Sequence, residues 1–267
     1  MIKNFFKNWR KELFLLFAIF LLAAGLRIVR ILVYQQPVFA DEAIYVRWSQ
    51  IMQNEATLRF LPLSDGKQPL FMWSIIPFLK FISDPLIAGR ILSVVTGMGT
   101  LLGVFVLTWV LFSSKKASLF AAFLYSISPF AVFFDSLALV DSMLSMFGVW
   151  IFTFSVLTVK HLRLDFAMIT GMLLGGALLT KSPSIFFALL VPASLIFLKM
   201  PNGKGAKIDL IMRLLFLFLA IYVLAFGIYN ILRLGPNFHM VGARNQDYIF
   251  PISHIWENPK DPFIFHV

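Results

Sequence analysis

The chain has 267 residues, 60% of them hydrophobic, 16% aromatic and only 13% charged, with no cysteine. Soluble domains average roughly a quarter charged residues, so this composition excludes a water-soluble enzyme and fits a polytopic membrane protein. The absence of cysteine excludes disulfides and thiolate sites, and the net charge of +10 is dispersed between apolar stretches, which argues against a nucleic-acid partner.

In chain order, apolar stretches able to cross about 30 Å of hydrocarbon as helices fall at about 12–34, 86–112, 117–134, 139–159, 165–181, 183–198 and 208–232. Their continuity argues against the alternating strands of a barrel, and the runs that follow the first, with no small-residue cleavage site closing it, argue against reading it as a cleaved signal peptide. The expected fold is an all-α integral membrane bundle of about seven transmembrane helices.

Sidedness follows from the basic residues. Residues 1–11 carry Lys3, Lys7, Arg10 and Lys11, which places them in the cytoplasm. The other inside loops then hold Lys115 and Lys116, Lys160 and Arg163, and Lys199, Lys204 and Lys207. The count closes if Gln68 to Ile82 is an interfacial or re-entrant helix, which its length of about 15 residues and Pro77 favour. The expected organisation is a cytoplasmic N-terminus at 1–11, a membrane module at 12–232 with an external loop at 35–85, and an external segment at 233–267 that stops in mid-loop, as in a fragment. Ten of the thirteen acidic residues fall on the outer side, which directs attention there.

In the first external loop, Ile44, Tyr45, Trp48, Ile51 and Met52 recur at helical spacing, the pattern of an amphipathic helix lying in the interface. Asp41-Glu42 stands at its start, where a carboxylate can take a proton from a hydroxyl; an N-cap and a dipole-favoured first turn explain the same residues. Ser64-Asp65-Gly66-Lys67-Gln68-Pro69-Leu70-Phe71 is a polar turn opening a helix, a place where lysine meets phosphate or snorkels to the interface.

Between two spans lies Asp135-Ser136-Leu137-Ala138-Leu139-Val140-Asp141. Carboxylates at membrane depth are costly and read as functional, although Asp135 closing one helix in water and Asp141 opening the next would explain them as caps. Lys181, in Leu179-Thr180-Lys181-Ser182-Pro183, calls for an anion or snorkels. Gly171, Gly175 and Gly176 have the small-residue spacing of close helix packing. In the tail, Arg244, Asp247 and Tyr248 are polar neighbours, and His239 and His254 lack a metal-ligand spacing.

In this order, Asp41-Glu42, Lys67-Gln68-Pro69-Leu70, Ser128-Pro129 with Asp135 to Asp141, and Leu179-Thr180-Lys181-Ser182-Pro183 resemble the polyprenyl-phosphate-sugar glycosyltransferases of the GT-C fold. The resemblance is nearest to the bacterial branch with the lipid A aminoarabinose transferases and relatives of protein O-mannosyltransferases. It covers roughly residues 12–200 and departs from the family's pattern at Gln68, where proline is usual.

The resemblance implies transfer of a sugar from a polyprenyl-phosphate donor to a lipid, glycan or protein acceptor at the outer face of the cell membrane, with inversion at the anomeric carbon. Asp41, Glu42 and Asp141 would be the catalytic set, Asp141 being favoured over Asp135 as the second-loop acid. Lys67, Lys181 and Arg244 would bind the donor phosphate, and Asp65 and Tyr248 are further candidates. No cofactor is required, and a divalent cation between Asp41 and Asp141 is allowed. The competing class is a transporter or channel with membrane-embedded carboxylates, against which the one-sided charge and the lack of a repeat both argue.

Overall fold

The computed structural model describes residues 2–34, 37–246, 253–257 and 259–260. Helix α1 (Ile2–Val33) is followed by α2 (Ala40–Asn54), 3-10 turns at Ala56–Leu58 and Leu61–Asp65, α3 (Leu70–Leu79), α4 (Pro85–Phe112), α5 (Lys115–Ile127), α6 (Pro129–Phe134), α7 (Val140–His161) and α8 (Leu164–Leu178). A 3-10 helix at Ser182–Leu189, α9 (Leu190–Ala193) and a second 3-10 helix at Ser194–Phe197 lead to α10 (Lys204–Tyr229). A 3-10 stretch at Asn230–Leu234, α11 (His239–Gln246) and α12 (His254–Glu257) complete the order, and no strand occurs among the described residues.

The fold is that of an all-α membrane protein. Trp9–Val33, Pro85–Phe112, Val140–His161 and Lys204–Leu234 are long and apolar enough to cross a bilayer. The other expected spans are shorter or broken. The stretch at 117–134 divides at Ser128, because Pro129 has no N–H to continue the ladder of α5 and instead opens α6. The stretch at 183–198 is mostly 3-10 helix, with Pro183 and Pro192 each removing a donor. Helix α1 starts at Ile2 rather than near residue 12.

Side chains explain the element ends that frame the loop between α1 and α4. Asp84 caps α4, its Oδ1 accepting from the backbone N–H groups of Leu86 at 2.8 Å and Ile87 at 3.2 Å. Pro85 takes the first helical position. Helix α3 spans ten residues, about 15 Å, and is too short to cross. Pro77 lies inside it rather than breaking it. Helix α2 buries Glu42, Tyr45, Val46, Ser49 and Met52, while Ile44 is exposed. Its inward face is therefore turned from the purely apolar one that the periodicity singles out, because the Glu42 ion pair goes inside with it.

Packing is close where glycine permits it. A Cβ on Gly171 or Gly175 of α8 would stand 2.8 Å from the Ile221 carbonyl or 2.6 Å from Ile228 Cβ of α10. The small-residue spacing is thus used for helix packing.

Charged side chains gather at the two ends of the long helices. At one end Arg90 and Asp141 lie near the N-termini of α4 and α7. At the other, Lys160 Nζ donates to the Val110 carbonyl at 2.6 Å and Lys115 pairs with Glu12 at 3.3 Å. Some 19 to 20 residues of helix separate the two levels, about 30 Å, the thickness of a hydrocarbon core.

Candidate active site

Asp41 and Glu42 lie in the first turn of α2 and have different surroundings. The N-cap is Phe39, which has no polar side chain, so neither carboxylate is an N-cap residue. Glu42 instead reaches back, its Oε2 accepting from the Phe39 N–H at 3.1 Å, half of a capping box. The rest of its capacity is used across the fold. Oε1 accepts from Arg90 Nε at 2.9 Å and from the Ala138 N–H at 2.7 Å, and Oε2 also accepts from Arg90 Nη2 at 3.0 Å. Glu42 is fully buried. Burial alone pushes its pKa up, but the Arg90 bonds, the two backbone N–H donors and the Arg90 charge outweigh this and leave it below the ordinary carboxylate value. Asp41 points elsewhere, with 43% of its side chain exposed.

Lys67 is presented by the turn after Leu61–Asp65. Gly66 adopts a left-handed φ of 65°, and a Cβ there would stand 2.6 Å from the Met240 carbonyl, so the turn and the seating of α11 both need glycine. The Lys67 N–H closes the turn on the Pro62 carbonyl at 3.0 Å. Its ammonium lies 3.0 Å from Asp41 Oδ1 and 3.4 Å from Asp65 Oδ2. It also stands 5.0 Å from the Tyr45 ring centre and 5.6 Å from that of Trp48, in range for cation–π attraction. Arg244, on α11, donates from Nη1 to Asp65 Oδ1 at 2.8 Å and to the Asp65 carbonyl at 2.9 Å. Asp41, Lys67, Asp65 and Arg244 thus form one alternating chain of charges.

A second pair stands beside it. Lys181 Nζ is 2.9 Å from Asp141 Oδ1, with 41% and 36% of the two side chains exposed. Two hydrogen bonds fasten the Lys67 turn to the Lys181 turn: Leu70 N–H to the Leu179 carbonyl at 3.0 Å, and Gln68 Nε2 to Ser182 Oγ at 2.7 Å. The Gln68 side chain therefore supplies a cross-link that a proline at this position could not make.

Tyr45 lies under the Lys67 ammonium and feels both groups of charge. Its pKa is raised, first by burial and then by the carboxylates of Asp41 and Asp141, with Arg244 acting in the opposite sense. Its hydroxyl stays protonated at neutral pH.

Asp135 follows α6, yet it is not in water. It is buried, and its Oδ2 accepts from Arg27 Nε at 2.9 Å and Nη2 at 2.8 Å and from the Tyr125 hydroxyl at 2.9 Å. Of the remaining candidates, Tyr248 lies outside the described residues. Asp41 and Asp141 each hold a lysine, and no group of three or more His, Cys, Asp or Glu side chains suited to a metal occurs among the described residues. This donor set fits paired cations better than a divalent ion, so no step below is routed through a metal.

A protein-family model matches residues 66–229, more than half of the chain; its description is dolichyl-phosphate-mannose-protein mannosyltransferase. The chain belongs to that family. No individual curated protein matches it in sequence. Family membership makes this a membrane glycosyltransferase and decides between the transferase and transporter readings. The matched stretch contains Lys67, Asp141 and Lys181, while Asp41, Glu42 and Arg244 fall outside it.

The structure adds Arg27, Tyr45, Arg90 and the Gln68–Ser182 bond to the residues singled out in sequence. Three of these carried a usable signal. Arg27 and Arg90 are cations inside apolar stretches, which calls for a buried partner. Tyr45 follows Asp41 by one helical turn and so shares its side of α2.

Proposed function

We infer that this family member transfers a sugar from a polyprenyl-phosphate donor to an acceptor hydroxyl at the outer face of the cell membrane, with inversion at the anomeric carbon. The observation that carries this reading is the Lys67–Asp41 pair at 3.0 Å, a phosphate-binding cation beside a partly exposed carboxylate. The oxygen of the acceptor, a lipid, glycan or protein, bonds to the anomeric carbon as its proton passes to Asp41. The bond from that carbon to the phosphate oxygen breaks, and its electron pair leaves with the lipid phosphate. A phosphodiester becomes a phosphomonoester, so negative charge grows on the leaving group as the reaction proceeds. Lys67, with Lys181 and Arg244, meets that growing charge, and the 15% exposed side chain of Lys67 does so where such pairing is worth most.

Glu42 has a different task in this reading. Its oxygens are committed to Arg90 and to two backbone N–H groups, so it holds Asp41 and the second external loop in register rather than taking a proton. Asp141 holds Lys181 and offers its exposed edge to a sugar or acceptor hydroxyl. The ammonium-rich loops at Lys115, Lys160 and Lys204 face the cytoplasm.

Consumption of a lipid-phosphate-linked sugar by membranes containing the protein tests the reading. Donor-dependent release of lipid phosphate with formation of a glycosylated acceptor supports it. A protein that binds such donors and never consumes them in the presence of acceptor hydroxyls contradicts it.

A further inference from the structure

Four helices meet around Asp135. Arg27 of α1 is wholly buried and gives Asp135 two of its N–H groups, while its Nη1 donates to the Ala23 carbonyl at 3.0 Å and the Ser126 carbonyl at 3.1 Å. Tyr125 of α5 supplies its hydroxyl. From α7, Ser142 Oγ lies 2.8 Å from Asp135 Oδ1, 2.8 Å from the Ser93 carbonyl of α4 and 2.9 Å from Thr96 Oγ1. Helix α4 makes the room: a Cβ on Gly97 would stand 2.4 Å from Asp135 Cγ.

Stability alone is a weak reason for such a network. Removing two charges from water costs about as much as their pairing returns, and apolar residues of the same volume often do as well or better. What directional bonds add to apolar packing is a further constraint on the rotation and height of a helix, the registry role that buried polar groups have in some proteins. This network fixes α7 at one place, Ser142, and the next residue toward the N-terminus is Asp141.

We propose that Arg27 is a positioning residue for Asp141, acting through Asp135 and Ser142. The guanidinium sets the Asp135 carboxylate, Asp135 Oδ1 sets the Ser142 hydroxyl, and Ser142 sets the first turn of α7, from which Asp141 meets Lys181. The consequence for turnover rests on the reading of Asp141 as a residue of the transferase site; the geometric relay does not. Arg27 touches neither donor nor acceptor in this account.

Two arms test it in the intact protein. The chain has no cysteine, so nitroxide labels on cysteines at the exposed positions 145 of α7 and 185 of the Ser182–Leu189 helix report the placement of α7 without reference to activity and with Asp141 and Lys181 in place. Adding Arg27→Met or Ser142→Ala should shift or broaden the 145–185 distance by about 2 Å or more, several times the roughly 0.5 Å tolerance of a productive site. Leu101→Ala, a cavity in the core shared by α1, α4 and α5, should leave that distance unchanged and controls for general loosening. Arg27→Lys keeps a cation beside Asp135 and loses the two-pronged guanidinium geometry. It should move the distance in the same way and decides the role of Arg27 if Arg27→Met does not fold, while Ser142→Ala tests the last link with the ion pair intact.

In the kinetic arm, Arg27→Met should cut kcat about tenfold with little change in donor KM, and should cost under about twofold on an Asp141→Asn background, because residues acting through one group are not additive. An unchanged distance in the variants, or losses that multiply fully on the Asp141→Asn background, overturns the relay. If the unsubstituted protein consumes no lipid-phosphate sugar, the transferase reading falls while the distance arm still decides the relay.

Discussion

Lys67 and Asp41 are held 3.0 Å apart, so without substrate the cation assigned to the donor phosphate is occupied by the carboxylate assigned as base. A phosphate arriving at Lys67 competes with Asp41 and with Asp65 for the same ammonium. Donor binding therefore frees Asp41 Oδ1 for an acceptor hydroxyl, which favours donor binding before acceptor. Lys67→Met removes a charge that meets phosphate in both the ground state and the transition state. It should raise donor KM about tenfold or more and lower kcat as well, measured as initial rates of donor consumption. A normal donor KM in this variant would remove Lys67 from the phosphate site.

The Glu42–Arg90 pair should dominate stability in this region. Breaking a buried pair from one side leaves an uncompensated charge and costs about 3–5 kcal/mol, whereas replacing both partners costs much less. Arg90→Met should therefore lower the unfolding temperature in detergent more than Glu42→Gln combined with Arg90→Met. Additive losses in the two single variants would show that the pair is not coupled.

The same carboxylate sets an acid limit. Its folded pKa lies below the reference value of 4.5, so its stabilising contribution is complete above that value and is lost as pH falls through the depressed folded value. Glu42→Gln has no carboxyl to protonate there. Its unfolding temperature should fall less steeply with acid than that of the unsubstituted protein, and parallel pH profiles would assign the acid limb to other groups.

Sidedness is open to direct labelling. Cysteines placed at Ser64 and Asn237 should react with an impermeant maleimide from outside intact cells, and cysteines at Lys116 or Gly203 should react only after the inner face is exposed. Labelling of position 64 from the cytoplasmic side alone would invert the assignment.

Much of this was legible in the sequence because the physics involved is local. Apolar runs gave the helices, and the polar turn around Gly66 the place that presents Lys67. The order of Asp41, Lys67, Asp141 and Lys181 was enough to indicate the family. What pairing does with these residues was not legible, because it depends on contacts between residues far apart. Nothing local says that Arg27 reaches Asp135 across 108 positions, or that Glu42 is spent on Arg90 while its neighbour Asp41 faces outward. The same holds for α2, whose apolar spacing indicated a face including Ile44, while the ion pair drew Glu42 inside and left Ile44 exposed.

The most direct test of the central claim is the turnover of Asp41→Asn with saturating lipid-phosphate sugar. The substitution keeps the shape of the side chain and removes the basic oxygen. Loss of a positioned general base should lower kcat by about 100-fold or more, while donor KM falls rather than rises, because Asn no longer competes with phosphate for Lys67. Turnover within about threefold of the unsubstituted protein, under roughly 0.7 kcal/mol of barrier, would contradict the assignment of Asp41 as the base.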